Sequence, residues 1–195
     1  LGRPAVRADY FSRARNTAAF FSFCSSLIFK KARWDAVPVD DQFVGSHWDH
    51  VARFFRMIPH GLRIKYLSVP LLSKRGENDS FLDQGLVNRY RITIEGFDRL
   101  SRAFFTPGSP EDFHLRRVMK AEHNLKALLD AKLHCHDRGL TEDLATLDRL
   151  AGVQYGYPLL SNRFMLFLYR YSPVALLRVA KPVYAFIKTR VLSTP

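Results

Sequence analysis

The sequence is short of cysteine and of long uncharged apolar runs. Its 195 residues contain two cysteines, Cys24 and Cys135, far apart in apolar or helical stretches. This usage argues against a disulfide framework and is typical of a reducing compartment. No charge-free apolar run is long enough to predict a membrane span. No signal peptide is recognisable and the first residue is not Met, so we expect a fragment whose N-terminal part is missing.

Acidic side chains are also scarce. The chain has 18 Asp and Glu against 30 Lys and Arg, a net charge of +12. A basic surface favours polyanions such as nucleic acid, anionic lipid or diphosphate groups. Zinc-finger spacing, an aromatic RNA-binding pattern and a Walker loop are all absent. Nucleic-acid binding is therefore supported by charge alone. The 47% hydrophobic content predicts a globular chain.

Two further kinds of catalytic or metal site are not expected. The sequence has no Gly-x-Ser-x-Gly elbow, which argues against a serine hydrolase. His134, Cys135 and His136 resemble a metal cluster, but residues two apart on a helix do not face each other. No second ligand pair at zinc spacing lies nearby.

The hydrophobic pattern predicts strands and helices in alternation. Apolar alternation predicts a strand within Ala18–Phe29, and two short strands follow later at Leu62–Ser68 and Pro70–Ser73. Helical spacing and end signals predict helices over residues 30–36, 46–58, 82–105, 110–138 and 141–150.

The chemistry is concentrated between Val39 and Phe81. A helix is predicted to begin near Ser46, a plausible N-cap, and to stop at Pro59. Its first turn carries ionisable side chains at Asp49 and His50. A polar loop with basic residues follows the two short strands, and loops held by a rigid scaffold often carry catalytic residues.

This order of elements resembles the second half of the catalytic domain in family 2 (GT-A fold) glycosyltransferases. It is most similar to bacterial O-antigen sugar transferases of the abequosyltransferase type. The resemblance covers roughly residues 8–130. Asp49-His50 stands at the helix start, Gly61–Tyr66 matches the Gly-x-x-Ile-x-Tyr strand, and Lys74-Arg75-Gly76 matches the basic loop.

The resemblance implies an α/β fold class: the C-terminal half of a GT-A domain with a few strands, followed by a mainly helical extension. The implied domains are residues 1–107, the acceptor-side half of the catalytic domain, and residues 108–195, the helical extension. The implied activity is inverting transfer of a sugar from a nucleotide-sugar to a lipid-linked or polysaccharide acceptor, in O-antigen or capsule synthesis.

The resemblance also implies roles for individual residues. His50 or Asp49 would be the catalytic base, although the family's usual Glu-Asp pair is replaced here by Asp-His. The alternative is that Asp49 only favours the helix dipole and that His50 is a structural hydrogen-bonding residue. Arg75, with Lys74, would contact the diphosphate, because an arginine can pair with phosphate in a bidentate way.

Four more residues are candidate substrate contacts, each with a structural alternative. The candidates and their alternatives are His47 (a helix cap), Trp48 (core packing rather than sugar stacking), Asp41 with its neighbour Asp40 (an ordinary acidic turn) and Asn78 (a solvated turn).

A divalent metal, Mg or Mn, is expected for the complete enzyme. The family holds this metal with an Asp-x-Asp motif that the chain does not contain. Its ligands are therefore expected outside this chain, which would be incomplete and inactive alone.

The C-terminal segment 159–192 is basic and aromatic, and Pro173 and Pro182 divide it. Such a pattern suits an amphipathic helix at a membrane surface; the alternative is a helical hairpin packed on the protein. The expected location is cytoplasmic, peripheral on the inner face of the cell membrane, with an anionic membrane surface as a partner. A second hypothesis is a non-catalytic basic helical module that binds a membrane surface or nucleic acid.

Overall fold

The computed structural model describes residues 1–69 and 85–179, which form helices, turns and irregular segments. Short 3-10 helices occupy Thr17–Phe20, Cys24–Ser26 and Asp41–Phe43, and residues 174–179 are also helical. The α-helices with described ends are α1 (Pro4–Arg13), α2 (Lys31–Asp35), α3 (Asp49–Met57), α4 (Leu86–Phe104), α5 (Pro110–Glu122), α6 (Leu125–Asp137), α7 (Thr141–Tyr155) and α8 (Leu160–Tyr171).

The predicted α/β fold is wrong, because the described residues contain no strand and no sheet. The expected strand within Ala18–Phe29 is replaced by two 3-10 helices. Serine hydroxyls there compete with the backbone hydrogen bonds that a strand needs. Ser26 Oγ donates to the carbonyl of Phe23 at 2.7 Å. Phe20 and Phe21 are both buried although they are consecutive, which a strand with one buried face does not allow.

The strand predicted at Leu62–Ser68 also finds no support. Leu62–Ser68 is irregular and largely exposed, and the Tyr66 side chain is 84% exposed. Apolar residues alone do not make a strand, because a strand also needs a neighbouring strand to pair with its backbone. Pro70–Ser73 lies outside the described residues.

The chain divides into two compact units, residues 1–122 (unit 1) and 123–195 (unit 2). The predicted division after residue 107, between the acceptor-side half of a catalytic domain and a helical extension, stays a prediction. In unit 1, α1 and α4 both pack against α5, and α3 packs against α4. In unit 2, α6, α7 and α8 pack against one another.

An aromatic cluster forms much of the core of unit 1. Phe11, Phe20 and Phe55 are each at most 1% exposed. The ring centroid of Phe11 lies 5.0 Å from that of Phe20 and 5.2 Å from that of Phe105. Phe105 lies 5.1 Å from Phe55 in turn. These rings join α1 to α3 and to the end of α4, and such contacts add to the free energy gained by apolar burial.

A buried carboxylate joins α4 to α5. Asp112 is 1% exposed. It accepts hydrogen bonds from Ser101 Oγ at 2.6 Å, Gly108 N at 2.9 Å and Arg116 Nε at 2.6 Å. Arg116 also donates to Asp98 on α4 at 2.8 Å. The charge is therefore both paired and hydrogen-bonded, as a buried carboxylate must be.

The long helix predicted over residues 110–138 is two helices, α5 and α6. Asn124 accounts for the break, because its side chain accepts a hydrogen bond from Ala127 N at 3.0 Å and caps α6. Buried side chains of unit 2 include Leu128, Leu147 and Leu150, all at 0% exposure. The short helix predicted over 30–36 is confirmed as α2.

Candidate functional site

The turn before α3 places the predicted catalytic residues. Ser46 is not the N-cap that the sequence predicts, because α3 begins at Asp49 and its N-cap position is Trp48. His47 comes between them with a φ of +67°, in the left-handed region that non-glycine residues rarely adopt. Ser46 Oγ instead accepts from Trp48 N at 3.3 Å, inside the turn.

Trp48 packs into the core of unit 1. Its ring is 7% exposed, and Nε1 donates to the carbonyl of Ile92 on α4 at 2.8 Å. A Cβ added to Gly96 would lie 2.0 Å from Nε1, so the ring fits against α4 because residue 96 has no side chain. The ring centroid of Phe97 is 4.9 Å away. These contacts favour the core-packing alternative over sugar stacking.

Asp49 and His50 stand next to each other at the start of α3. Their side chains are 59% and 19% exposed, and His50 Nδ1 lies 3.8 Å from Asp49 Oδ1. That distance permits an electrostatic interaction but is too long for a hydrogen bond. His50 Nε2 is buried and has no hydrogen-bond partner among the described residues. An unpaired buried nitrogen costs free energy, which a ligand or another part of the protein would recover.

The remaining predicted site residues are either exposed or lie outside the described residues. Asp41 and His47 are exposed, with Asp41 at the start of a 3-10 helix. Lys74, Arg75 and Asn78 lie outside the described residues, so their distance from His50 stays a prediction.

A cleft of about 470 Å³ opens at the other end of α3. The ends of α3 and α4, the start of α5 and a side chain of α1 line it. Two ion pairs face it. Arg7 Nε donates to Glu111 Oε1, and Arg56 Nη2 donates to Asp40 Oδ2 at 2.6 Å. Phe55, Phe104 and Phe105 contribute aromatic surface to the same cleft.

Both carboxylates of the cleft are ionised at neutral pH. Burial raises the pKa of Asp40, but hydrogen bonds from Gln42 and Arg56 outweigh it and leave the pKa below its usual value. Burial likewise raises the pKa of Glu111, and hydrogen bonds from Arg7 and from the Glu111 backbone N–H reverse that effect. The cleft therefore combines two negative and two positive groups with apolar walls, which can hydrogen-bond a polar ligand and pack on its apolar faces.

Sequence reasoning missed most of this cleft. Asp40 was predicted beside Asp41 as a candidate substrate contact, with an acidic turn as the alternative, whereas Arg7, Arg56 and Glu111 were not selected. Arg7 and Glu111 are 104 residues apart in the chain, so no local pattern links them. The local signal that existed was the Ser-Pro-Glu-Asp helix start, which predicts that Glu111 lies at the beginning of α5.

The described residues do not supply a metal site. No group of three or more His, Cys, Asp and Glu side chains among them could hold a metal ion. His134, Cys135 and His136 lie on α6, where Cys135 is buried and the two histidines are exposed. The divalent metal expected from the resemblance, with its ligands outside this chain, stays a prediction.

Comparison with known proteins identifies one relative of stated function. Over 101 residues the chain is 36% identical to the abequosyltransferase RfbV of Salmonella typhimurium. This similarity to an abequosyltransferase spans half of the chain. The predicted resemblance to the abequosyltransferase type is thereby confirmed, whereas membership of family 2 stays a prediction. The match covers 51% of this chain and 30% of the relative, so the chain spans less than a third of that protein. No protein-family model and no solved structure matches the chain.

Proposed function

We propose that this chain is part of a glycosyltransferase. It would help transfer a sugar from a nucleotide-sugar donor to a lipid-linked or polysaccharide acceptor, in O-antigen or capsule synthesis, at the inner face of the cell membrane. The similarity to the abequosyltransferase RfbV carries this proposal. The Asp49–His50 pair at the start of α3 supports it, because an acid–base pair is what acceptor activation requires.

The reaction would be a single displacement that inverts the anomeric centre. A base takes the proton of the acceptor hydroxyl as that oxygen bonds to the anomeric carbon of the donor. The bond from this carbon to the diphosphate breaks, and the electron pair leaves with the nucleoside diphosphate. We assign the base to His50, with Asp49 stabilising the imidazolium that forms.

Positive charge is needed where the diphosphate leaves, because negative charge accumulates there. We assign that role to Arg75 and Lys74. Asn78 and His47 would contact the substrates.

The base assignment is tested in the intact protein with a nucleotide-sugar and a lipid-linked saccharide. His50→Gln is expected to lower kcat by about 100-fold or more, the usual contribution of a general base, with a smaller change in KM. Asp49→Asn should lower kcat less. His60→Gln is the matched control, since His60 is exposed just beyond α3. Unchanged turnover in both His50→Gln and Asp49→Asn would end the assignment; absence of any sugar transfer by the intact protein would end the proposed function.

The cleft at the other end of α3 is suited to the saccharide part of the acceptor. Saccharides offer hydroxyl groups to paired charges and apolar ring faces to aromatic side chains, and both are present there. Two neighbouring carboxylates provide the test, because Asp40 is paired with Arg56 at the cleft while Asp41 is exposed.

Asp40→Asn is expected to raise the acceptor KM severalfold and to leave the donor KM unchanged. Asp41→Asn should change the acceptor KM much less. Thermal melting of both variants separates weakened binding from weakened folding. Equal acceptor KM values for the two variants would contradict saccharide binding in this cleft.

A further inference from the structure

Helix α8 presents an apolar face that the described chain does not cover. Leu160 is 84% exposed, Phe164 57%, Phe167 55% and Tyr171 68%. These positions are four, three and four residues apart, so they form one stripe along the helix. The rings of Phe167 and Tyr171 lie 4.8 Å apart, centroid to centroid. Large apolar side chains on an exposed contiguous stripe indicate an interaction surface.

The opposite face of α8 is fixed to the rest of unit 2. Asn162 is 3% exposed and Tyr169 is 0% exposed. Asn162 Nδ2 donates to the carbonyl of Tyr157 at 3.2 Å, and Lys132 Nζ donates to the carbonyl of Tyr169 at 2.8 Å. The Lys132 ammonium also lies 4.8 Å from the centre of the Tyr169 ring. A helix held in this way cannot turn its outer stripe inward.

The charge beside the stripe has one sign. Arg163 and Arg170 are exposed and two turns apart, so they lie on the same flank of the stripe. Neither makes an ion pair among the described residues, whereas Arg178 pairs with Asp137 at 2.5 Å. After Asp148 the sequence contains seven Lys and Arg residues and no acidic residue. This end of the chain is therefore complementary to an anionic surface.

A stripe of this kind suits the boundary between water and lipid. No helix in the described part of the chain meets the length and apolarity needed to cross a bilayer. An amphipathic helix with aromatic residues on one side and arginines beside them lies in the plane of the interface instead. The arginine side chains are long enough to reach lipid phosphates while their stems remain on apolar surface.

We propose that α8 is a docking surface for an anionic lipid bilayer. Leu160, Phe164, Phe167 and Tyr171 insert at the boundary between headgroups and acyl chains, and Arg163 and Arg170 pair with lipid phosphates. This inference goes beyond the sugar transfer proposed above, because lipid binding requires neither a donor nor an acceptor.

The test is co-sedimentation of the 195-residue chain with phosphatidylcholine vesicles that contain phosphatidylglycerol, compared with phosphatidylcholine alone. Binding is expected only with the anionic lipid and should weaken as salt is added. Arg163→Gln/Arg170→Gln should weaken binding about 25-fold, since each basic residue near an anionic surface contributes about fivefold. Phe164→Ser/Phe167→Ser should weaken it at least tenfold, because two rings no longer enter the bilayer.

Matched variants on unit 1 control for charge and hydrophobicity. Arg15→Gln/Arg63→Gln makes the same change of net charge at exposed sites. Phe23→Ser/Phe113→Ser removes two rings that are 42% and 44% exposed. Both should bind vesicles nearly as the parent does, and circular dichroism checks that every variant is folded.

Four results would overturn the proposal. They are equal binding to both kinds of vesicle, no binding to either, the same loss in the control variants as in the α8 variants, and binding to duplex DNA in place of vesicles. A different set of results would mean that the stripe binds a second copy of the chain. The parent would then be dimeric, Phe164→Ser/Phe167→Ser would be monomeric, and the parent would not bind vesicles.

Discussion

Units 1 and 2 place their charges in opposite ways. Unit 1 buries the carboxylates Glu111 and Asp112, each paired with an arginine. In the described part of unit 2 the buried polar side chains are the amides Gln154 and Asn162, and the Lys126–Asp130 ion pair on α6 lies at the surface. Buried ion pairs hold helix ends together at a fixed geometry, whereas surface charge leaves a helix face available for a partner. The comparison therefore associates the polar cleft with unit 1 and the docking surface with unit 2.

The largest effect is expected where a charge partner is removed from the interior. Asp112→Ala removes the buried acceptor that Arg116 Nε and Ser101 Oγ share, although Arg116 keeps Asp98, and should lower the free energy of unfolding by about 3 kcal/mol. Asp130→Ala is the control, because Asp130 pairs with Lys126 at the surface of α6. It should cost less than about 1 kcal/mol. Denaturant unfolding measures both, and comparable losses would contradict the contrast between the units.

A smaller effect is expected from two helical glycines. Gly96→Ala on α4 places a methyl group on Trp48 and should destabilise unit 1 by about 1–3 kcal/mol. Gly152→Ala on α7 meets no atom within 4 Å and should stabilise by about 0.5–1 kcal/mol, since alanine favours helix. Thermal melting should show a lower midpoint for Gly96→Ala and a higher midpoint for Gly152→Ala. A neutral Gly96→Ala would mean that Trp48 does not pack as described.

Acid should weaken unit 1 in particular. Burial raises the pKa of Asp112, but hydrogen bonds from Ser101, Gly108 and Arg116 outweigh it, so the pKa lies below its ordinary value of 3.8. The pKa of Glu111 also lies below its ordinary value, 4.5, for the reasons given above. The unfolded chain then binds more protons than the folded one. The stabilisation is therefore fully present above these ordinary values and is lost progressively as the pH falls below them and through the lower pKa values of the folded state.

Tryptophan fluorescence can follow this loss, because both tryptophans, Trp34 and Trp48, belong to unit 1. Denaturant unfolding followed by fluorescence between pH 7 and about pH 3 should show a falling midpoint. Asp112→Asn should flatten the curve, since an amide does not titrate. A midpoint that is independent of pH in the parent chain would show that the carboxylates do not contribute as described.

Local signals predicted much of the helical structure. The stop at Pro59, the start at Pro110 and the end of α8 before Pro173 follow from residues that cannot continue a helix or that favour its first turn. The strands predicted within Ala18–Phe29 and at Leu62–Ser68 were wrong, because apolar alternation predicts a buried face and does not supply a partner strand. The cap at Asn124 was present in the sequence but was outweighed by the apolar spacing around it.

The candidate site also has some features that local sequence predicts and others that it does not. The adjacency of Asp49 and His50 at a helix start was predictable, because it depends on neighbouring residues and a local turn. The burial of Trp48 was not, since it depends on a gap at Gly96 on another helix. The Arg7–Glu111 and Asp40–Arg56 pairs bring together residues from separate elements, so local periodicity carries no information on them.

The sequence by itself determined the basic charge, the helix ends, the acid–base pair and the basic aromatic C-terminal segment, because each depends on composition or on residues close in the chain. Tertiary structure decided which of those residues are buried, which carboxylates meet arginines and which face of α8 remains exposed. These outcomes depend on packing between segments far apart in the chain, where free energy is gained only when several helices come together.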